Sequence, residues 1–282
     1  MFKTEVKKSF RNPYFIAAFI FMSAITGSTA VEMLVKRQDS INLRNAHLYD
    51  SAGNMTRVLE YSATSLYCKW LGSGLFEFMS VAFYFLLFLV CVLPFGWSLL
   101  KERKSGAMNN IIVRGGRGRY YFSKYAAAFL SGGTVVVVPM LMNWVICACF
   151  VPAYLPTQFG ELYMGITQDQ VFSQLFFTVP LLYALSYTLM TFVFAGLWAT
   201  VCVSLSFFCK NMFTLLIVPY LFLLFLHFIT RSFTYELSPI YFVIQSQVGH
   251  PNRLGIILLW IAAILIFDVL VYLLKGMKKD VL

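Results

Sequence analysis

Long apolar runs separated by short polar segments make up most of the chain. Six of these runs reach or approach the length of about 20 residues that a helix needs to cross a bilayer core of roughly 30 Å. They predict membrane spans at residues 14–35, 76–100, 126–151, 175–208, 212–230 and 254–274. The fourth run is longer than one span requires, so the membrane segment is expected to be a part of it, with a bent or interfacial start near Phe172.

The runs are continuous, whereas the strands of a transmembrane β-barrel would alternate over segments of about ten residues. Composition agrees with helices in lipid: 60% of the residues are hydrophobic, 12% are charged and the mean hydropathy is +0.75. Too little polar surface is left to coat a soluble globule. The sequence therefore predicts an all-α integral membrane protein, with residues 1–282 forming one transmembrane domain of six helices.

The N-terminal segment, residues 1–12, predicts a short amphipathic helix before the first span. Phe2, Val6 and Phe10 recur at every fourth position, and basic side chains surround them. Such a helix lies in the headgroup layer of a membrane. Pro13 then ends it, because proline restricts the preceding residue away from helical geometry. The alternative, in which these basic residues only set the topology, stays open.

The distribution of Lys and Arg predicts the orientation. Fifteen of the 22 basic residues fall in the N-terminal segment, the hairpin 101–125, the turn 209–211 and the C-terminal tail. By the positive-inside rule, these segments and both termini are cytoplasmic. Residues 36–75 are then an external loop, and residues 231–253 form an external re-entrant loop broken by Pro239. The expected location is the cell membrane of a bacterium, which the chain crosses several times.

Charge and motifs argue against several kinds of chemistry. The formal net charge of +10 is mainly the orientation signal, with some attraction to anionic lipid headgroups. Nucleic-acid binding is not expected, because the basic residues are scattered among membrane flanks rather than gathered on one folded face. The glycine-rich residues 115–118 lack the lysine of a phosphate-binding loop, so no nucleotide site is predicted in this chain. The six cysteines include no CxxC pair, which argues against a metal site.

Among the polar side chains within the predicted spans or at their ends, four are candidates for function: Glu77, Asn143, His227 and Asp268. A carboxylate at a helix centre costs about 2.5–3.5 kcal/mol on insertion scales, so a group of this kind has either a functional role or internal partners. Single polar groups in a span commonly hydrogen-bond neighbouring helices. These four residues are expected to line a pathway or to hold helices together, and both interpretations stay open.

Three features together resemble a known family. The first is the amphipathic start that ends in Lys8-Ser9-Phe10-Arg11-Asn12-Pro13, and the second is the set of six spans. The third is the hairpin, with Glu102, Gly106, an apolar turn, and then Arg114, Arg119 and Lys124. With the Leu237-Ser238-Pro239 break before the last span, they resemble the type-2 exporter permeases of ATP-binding-cassette transporters. Gly115-Gly116 departs from the proline often found there in that family.

The resemblance implies a division of labour between chains. In that family a separate cytosolic ATPase, which binds the ATP and Mg, docks on the hairpin, and two permeases, identical or sister chains, line one pathway. Met108, Ile111 and Ile112 would be the apolar anchors of that docking surface. Its polar and turn residues would be Glu102, Arg103, Gly106, Arg114, Arg117 and Arg119. The alternative, in which the hairpin only binds lipid phosphates, stays open.

The expected function is that of an exporter permease that catalyses no reaction and binds no cofactor itself. Spans rich in aromatic residues, with 29 Phe and 16 Tyr in the chain, fit an amphiphilic small molecule, a lipid-like compound or a peptide as cargo. One alternative is a membrane sensor that sequesters antimicrobial peptides through the 36–75 loop and has an ATPase as partner. Another is an intramembrane enzyme, but Gly72-Ser73-Gly74 with His227 lacks the spacing of a nucleophile elbow.

Overall fold

The structure is a computed structural model that describes residues 1–46, 65–73, 77–156, 166, 170–233, 237–246 and 252–277. These residues are mainly helical, and no strand occurs among them. The helices are α1 (Phe2–Phe10), α2 (Pro13–Ala46), α3 (Phe78–Val90), α4 (Ser98–Lys104), α5 (Ala107–Gly115), α6 (Arg117–Phe150), α7 (Ser173–Thr178), α8 (Pro180–Leu205), α9 (Met212–Phe233), α10 (Pro239–Phe242) and α11 (Leu254–Val271). A π-helical turn, Tyr272–Met277, extends α11.

Five stretches of helix are long and apolar enough to cross a membrane. They are Pro13–Asp39, Arg117–Phe150, Pro180–Leu205, Met212–Thr230 and Leu254–Gly276. They fall on five of the six predicted runs, and the chain is a multi-pass helical membrane protein. Large apolar side chains on α9 and α11 are exposed, as expected of helices that face lipid or another chain.

The predicted span 76–100 is divided. Helix α3 has 13 residues and ends at Val90, and turns occupy the chain up to α4. Pro94 has no N–H to donate to the carbonyl of Val90, four residues earlier, and Leu93 donates to that carbonyl instead at 3.1 Å. The carbonyl of Pro94 accepts a hydrogen bond from Asn12 Nδ2 at 2.8 Å. The interruption therefore places the turn that follows α1 against the middle of this segment.

The long fourth run is also divided by a proline. Phe172 adopts a left-handed conformation with φ of 64°, α7 follows it, and α8 begins at Pro180. Proline suits the first turn of a helix, where its missing N–H has no intrahelical partner to lose. The part of this run that is long and apolar enough to cross a membrane is α8.

The two predicted external loops contain buried segments that pack on each other. Residues 65–73 contain two 3₁₀ turns, Leu66–Cys68 and Leu71–Ser73; Trp70, between them, and Leu71 are buried. Residues 238–246, which include α10, are buried as well, and the backbone N–H of Ser246 donates to the carbonyl of Gly72 at 3.3 Å. The rest of the predicted 36–75 loop from residue 47 onward, and residues 234–236 and 247–251, lie outside the described residues.

Helices α6 and α8 form the centre of the bundle. Glycine residues on both helices allow their backbones to approach closely. A Cβ atom on Gly132 would lie 2.6 Å from Ala199 Cβ and 2.8 Å from the carbonyl oxygen of Cys91. A Cβ atom on Gly196 would lie 2.9 Å from the carbonyl oxygen of Phe129. Small residues let membrane helices approach until their backbones touch, which increases van der Waals contact between them.

We expect Gly132→Ala to destabilise the protein by about 1–3 kcal/mol, because the added methyl group has to displace α8 and the carbonyl of Cys91, which follows α3. The measurement is thermal unfolding of the purified protein in one detergent. Gly27→Ala is the matched control, since nothing lies within 4 Å of a Cβ atom at that position in α2. A control variant as unstable as Gly132→Ala would show that the close approach of α6 and α8 is not the cause.

Candidate functional site

The predicted hairpin 101–125 is formed by α4, α5 and the first turns of α6. Two glycines shape it, because Gly106 has φ of 70° and Gly116 has φ of 80°. Glycine adopts this left-handed region without the steric cost that a Cβ atom brings. Gly106 joins α4 to α5, and Gly116 joins α5 to α6. The left-handed backbone conformation thus explains why position 116, the second of the Gly115-Gly116 pair, is a glycine.

A buried charge cluster joins this hairpin to the N-terminal helix. Lys124 of α6 is fully buried, and its Nζ lies 2.6 Å from Glu5 Oε2 of α1 and 2.7 Å from Glu102 Oε1 of α4. Tyr120 donates its hydroxyl to Glu102 Oε2 at 2.6 Å. Lys8 lies at the edge of the cluster, with its Nζ 2.9 Å from Glu5 Oε1 and 3.8 Å from Glu102 Oε1.

The cluster contains two carboxylates and two ammonium groups, so its charges balance. Burial alone would raise the pKa of Glu5, but the ammonium groups of Lys124 and Lys8 outweigh burial and hold this pKa below its ordinary value. Burial likewise would lower the pKa of Lys8, but Glu5 and Glu102 raise it above its ordinary value. Glu5 and Lys8 are therefore ionised near neutral pH, and α1 is held on the hairpin by charged contacts.

Arg103 ties the hairpin to the end of α8. Its guanidinium donates to the carbonyl oxygen of Phe207 at 2.9 Å and to that of Cys209 at 3.2 Å. These carbonyls follow the last turn of α8, where backbone acceptors have no partner within the helix. A planar guanidinium can reach two acceptors at once, so one side chain connects α4 to the turn between α8 and α9.

Helix α5 has an inner and an outer face. Ile112 is buried and packs with Phe95, Leu99 and Tyr120, and partly buried Met108 and Ile111 pack against the same cluster. Val113 points the other way and is 82% exposed. We call the exposed residues Asn109, Asn110, Val113 and Arg114 the outer face of α5.

The residues predicted to form the docking surface therefore fall into two groups. The three predicted apolar anchors lie on the inner side of α5, and Glu102 and Arg103 make the internal contacts described above. Gly106, Arg114 and Arg119 are exposed, and Arg117 is partly exposed. A partner that approaches the hairpin would meet the second group and the outer face of α5.

Asp268, one of the four polar residues predicted in or near the spans, joins α8 to α11. Its carboxylate oxygens accept hydrogen bonds from Thr200 Oγ1 and Ser204 Oγ, both at 2.5 Å. The hydroxyl of Tyr125 in α6 lies 2.8 Å from Ser204 Oγ. The carboxylate thus has partners on α8 and extends its network to a third helix.

The other three predicted polar residues also have partners within the chain. Asn143 donates from Nδ2 to the carbonyl oxygen of Thr26 at 2.7 Å and accepts from the N–H of Leu71 at 2.9 Å. His227 Nδ1 lies 2.6 Å from Ser238 Oγ, which is in the buried segment before α10. Glu77 Oε1 lies 3.4 Å from Lys36 Nζ. All four predicted residues therefore link different segments of the protein.

Glu5 and Val113 were not among the residues singled out from the sequence. Glu5 carried a usable signal, because it is the only acidic residue among the first 31 residues, in a segment rich in lysine. Glu102 is likewise the only acidic residue of the basic 101–125 hairpin. A lone carboxylate among many cations favours an internal ion pair. No feature of the sequence identifies Val113, since its exposure depends on which face of α5 packs against the rest of the protein.

Comparison with family models, with curated proteins and with solved structures gives no match to this chain. Function is therefore inferred from the helices and their contacts. In the part of the chain that the structure describes, no group of three or more His, Cys, Asp or Glu side chains could hold a metal ion.

Proposed function

We propose that this chain is the permease subunit of an ATP-driven exporter, which moves an amphiphilic small molecule, a lipid-like compound or a peptide out of the cell. A separate cytosolic ATPase binds the ATP and Mg and docks on the hairpin. The observation that carries the proposal is the two-sided construction of α5. Its outer face is exposed, while its inner face packs against α4 and α6, which are bound to α1 and to the end of α8.

Such a helix can transmit force. Movement of α5 by a partner would pass to α4, and from Glu102 through Lys124 to α6 and α1. It would pass separately through Arg103 to the end of α8. Packed helices respond to a local pull by moving as rigid bodies, because their interfaces change between discrete arrangements. The two connections would let one docking site move several membrane helices together.

The proposal includes a sixth crossing and a cytoplasmic hairpin. From the start of α3 into the first turn of α4, residues 78–100 would reach roughly 35 Å at a helical rise of about 1.5 Å per residue, enough for a bilayer core despite the turns in the middle. An even number of crossings puts both termini on the same side. The excess of basic residues at the N-terminus and hairpin supports the cytoplasm as that side.

The proposed transporter contains two permeases, identical or sister chains. The exposed apolar residues of α9 and α11 offer surface for this pairing and for lipid. Exposed aromatic residues on α9, such as Phe222 and Phe225, suit contact with an amphiphilic cargo along the same surface.

Val113→Asp tests the docking. We expect this variant to lower the amount of P-loop ATPase that co-purifies with the tagged chain at least about tenfold, equivalent to ~1.4 kcal/mol, because it buries a charge in the interface. Val113 is 82% exposed, so the fold and thermal stability should stay unchanged. Thr4→Asp, which adds the same charge to an exposed position on α1, should retain the ATPase. Absence of any ATPase from the wild-type preparation, or full retention by Val113→Asp, would refute the proposal.

A further inference from the structure

An open cleft of about 510 Å³ lies beside the hairpin, where membrane helices begin. Tyr14 is the second residue of α2, Met212 is the first residue of α9, and Trp97 directly precedes α4. All three line the cleft. Because the starts of two helices long and apolar enough to span a membrane meet here, we expect the cleft at the level of the membrane surface on the hairpin side.

One wall of the cleft is mainly aromatic and apolar, and its side chains contact one another. The rings of Tyr14 and Trp97 meet edge to face, with centroids 5.1 Å apart. Trp97 donates its indole N–H to the carbonyl oxygen of Leu93 at 2.9 Å, which fixes the ring. Leu100 is buried behind it, packed in one cluster with Trp97 and partly buried Met212. This wall offers a surface on which hydrocarbon can lie.

The mouth of the cleft is basic. Lys101 and Lys104 line it and are exposed, and the Nζ of Lys101 lies 5.2 Å from the centroid of the Trp97 ring. Within the described ranges, no carboxylate lies at ion-pair distance from either lysine. Lys8 and Lys124, by contrast, have carboxylate partners in the nearby cluster. Two uncompensated cations therefore stand above an apolar wall at the membrane surface.

We propose that this cleft binds one anionic phospholipid from the leaflet that faces the hairpin. The lipid phosphate lies between Lys101 and Lys104, and the first carbons of an acyl chain lie against Tyr14, Trp97 and Met212. A volume of about 510 Å³ is in the range of small-molecule sites, enough for a headgroup and its glycerol, with the chains continuing into the bilayer. Free phosphate would satisfy the lysines but leave the apolar wall uncovered.

A lipid in this position would contact α2, α4 and α9 at once. It would add a contact between the hairpin and the membrane helices that is separate from the buried charge cluster. This inference goes beyond the proposed function and does not depend on it, since it requires only that the chain is a membrane protein.

The test uses the full chain in phosphatidylcholine nanodiscs that contain a trace of spin-labelled lipid. Electron paramagnetic resonance separates motionally restricted lipid on the protein from free lipid. We expect spin-labelled phosphatidylglycerol to be preferred over spin-labelled phosphatidylcholine at the wild-type protein. In Lys101→Gln/Lys104→Gln the relative affinity for phosphatidylglycerol should fall about 25-fold, from about fivefold for each lysine at an anionic lipid. Lys101→Arg/Lys104→Arg, which keeps both charges, should keep the preference.

Lys3→Gln/Lys7→Gln is the matched control, because it removes two exposed charges from α1 outside the cleft and should leave the preference unchanged. An equal loss in this control would show a general charge effect and overturn the site. So would a preference that survives Lys101→Gln/Lys104→Gln, or equal binding of both lipids to the wild type. Displacement of the restricted lipid by millimolar inorganic phosphate would show an anion site without lipid selectivity and would equally overturn the proposal.

Discussion

Replacing Lys124 with methionine is expected to destabilise the protein by about 3–5 kcal/mol and to release α1 from the hairpin. Methionine fills a similar volume, so the loss is electrostatic rather than a cavity effect. It leaves the buried carboxylate of Glu5 without its 2.6 Å partner, and Glu102 without its 2.7 Å partner. Thermal unfolding measures the stability, and the mobility of a spin label on an exposed residue of α1 measures its release.

Two further variants separate this explanation from general damage. Lys8→Met should cost less than about 1 kcal/mol, because Lys8 is half-exposed and water screens its ion pairs. Glu5→Gln/Glu102→Gln/Lys124→Met removes the three interior charges of the cluster and should recover most of the stability, since the one ion left without a partner, Lys8, is half-exposed and hydrated. A triple variant as unstable as Lys124→Met would contradict the view that the unpaired carboxylates cause the loss.

Under the proposed function, Arg103→Ala is expected to uncouple the hairpin from α8 without detaching the proposed ATPase. The variant loses hydrogen bonds from a charged donor to two carbonyls, worth about 1.5–3 kcal/mol each. We expect nucleotide-driven transport to fall at least about tenfold, the equivalent of ~1.4 kcal/mol in coupling. Retention of the ATPase should be unchanged, because the outer face of α5 is intact. The measurement is transport into vesicles, together with the amount of ATPase bound.

Arg103→Lys should also be poorly coupled, since a single ammonium does not reproduce the planar fork of arginine. Lys7→Ala removes a positive charge from an exposed position on α1 and should transport normally. Normal transport by Arg103→Ala would mean that force does not pass through the Phe207 and Cys209 carbonyls.

The helical membrane fold could be predicted because hydropathy is a local property. Five predicted runs contain helices long enough to span, close to the predicted positions. The divided run at 76–100 was harder, because a proline inside a membrane helix can kink it or leave it nearly straight. At Pro94 the outcome depends on Asn12, distant in sequence, whose amide donates to the carbonyl of Pro94 itself. That contact is tertiary and has no local signal.

The hairpin was predictable as a segment but not in its orientation. An apolar stripe on a short helix can pack equally well against a partner protein or against the other helices of its own chain. In the structure, Met108, Ile111 and Ile112 face the bundle, and the exposed Val113 faces outward. The charge cluster depended on pairing Glu5 with Lys124 across 119 positions, which one sequence does not reveal. Whether the outer face binds an ATPase stays a prediction.

The most direct test of the account is photo-crosslinking from residue 113 in living cells. A p-benzoylphenylalanine at this position replaces an exposed side chain, so it should leave the fold intact. The account predicts one major adduct with a soluble cytosolic protein that carries a P-loop, and loss of this adduct when the same group is placed at Thr4 instead. Adducts formed only with lipid or with proteins outside the cell would contradict it.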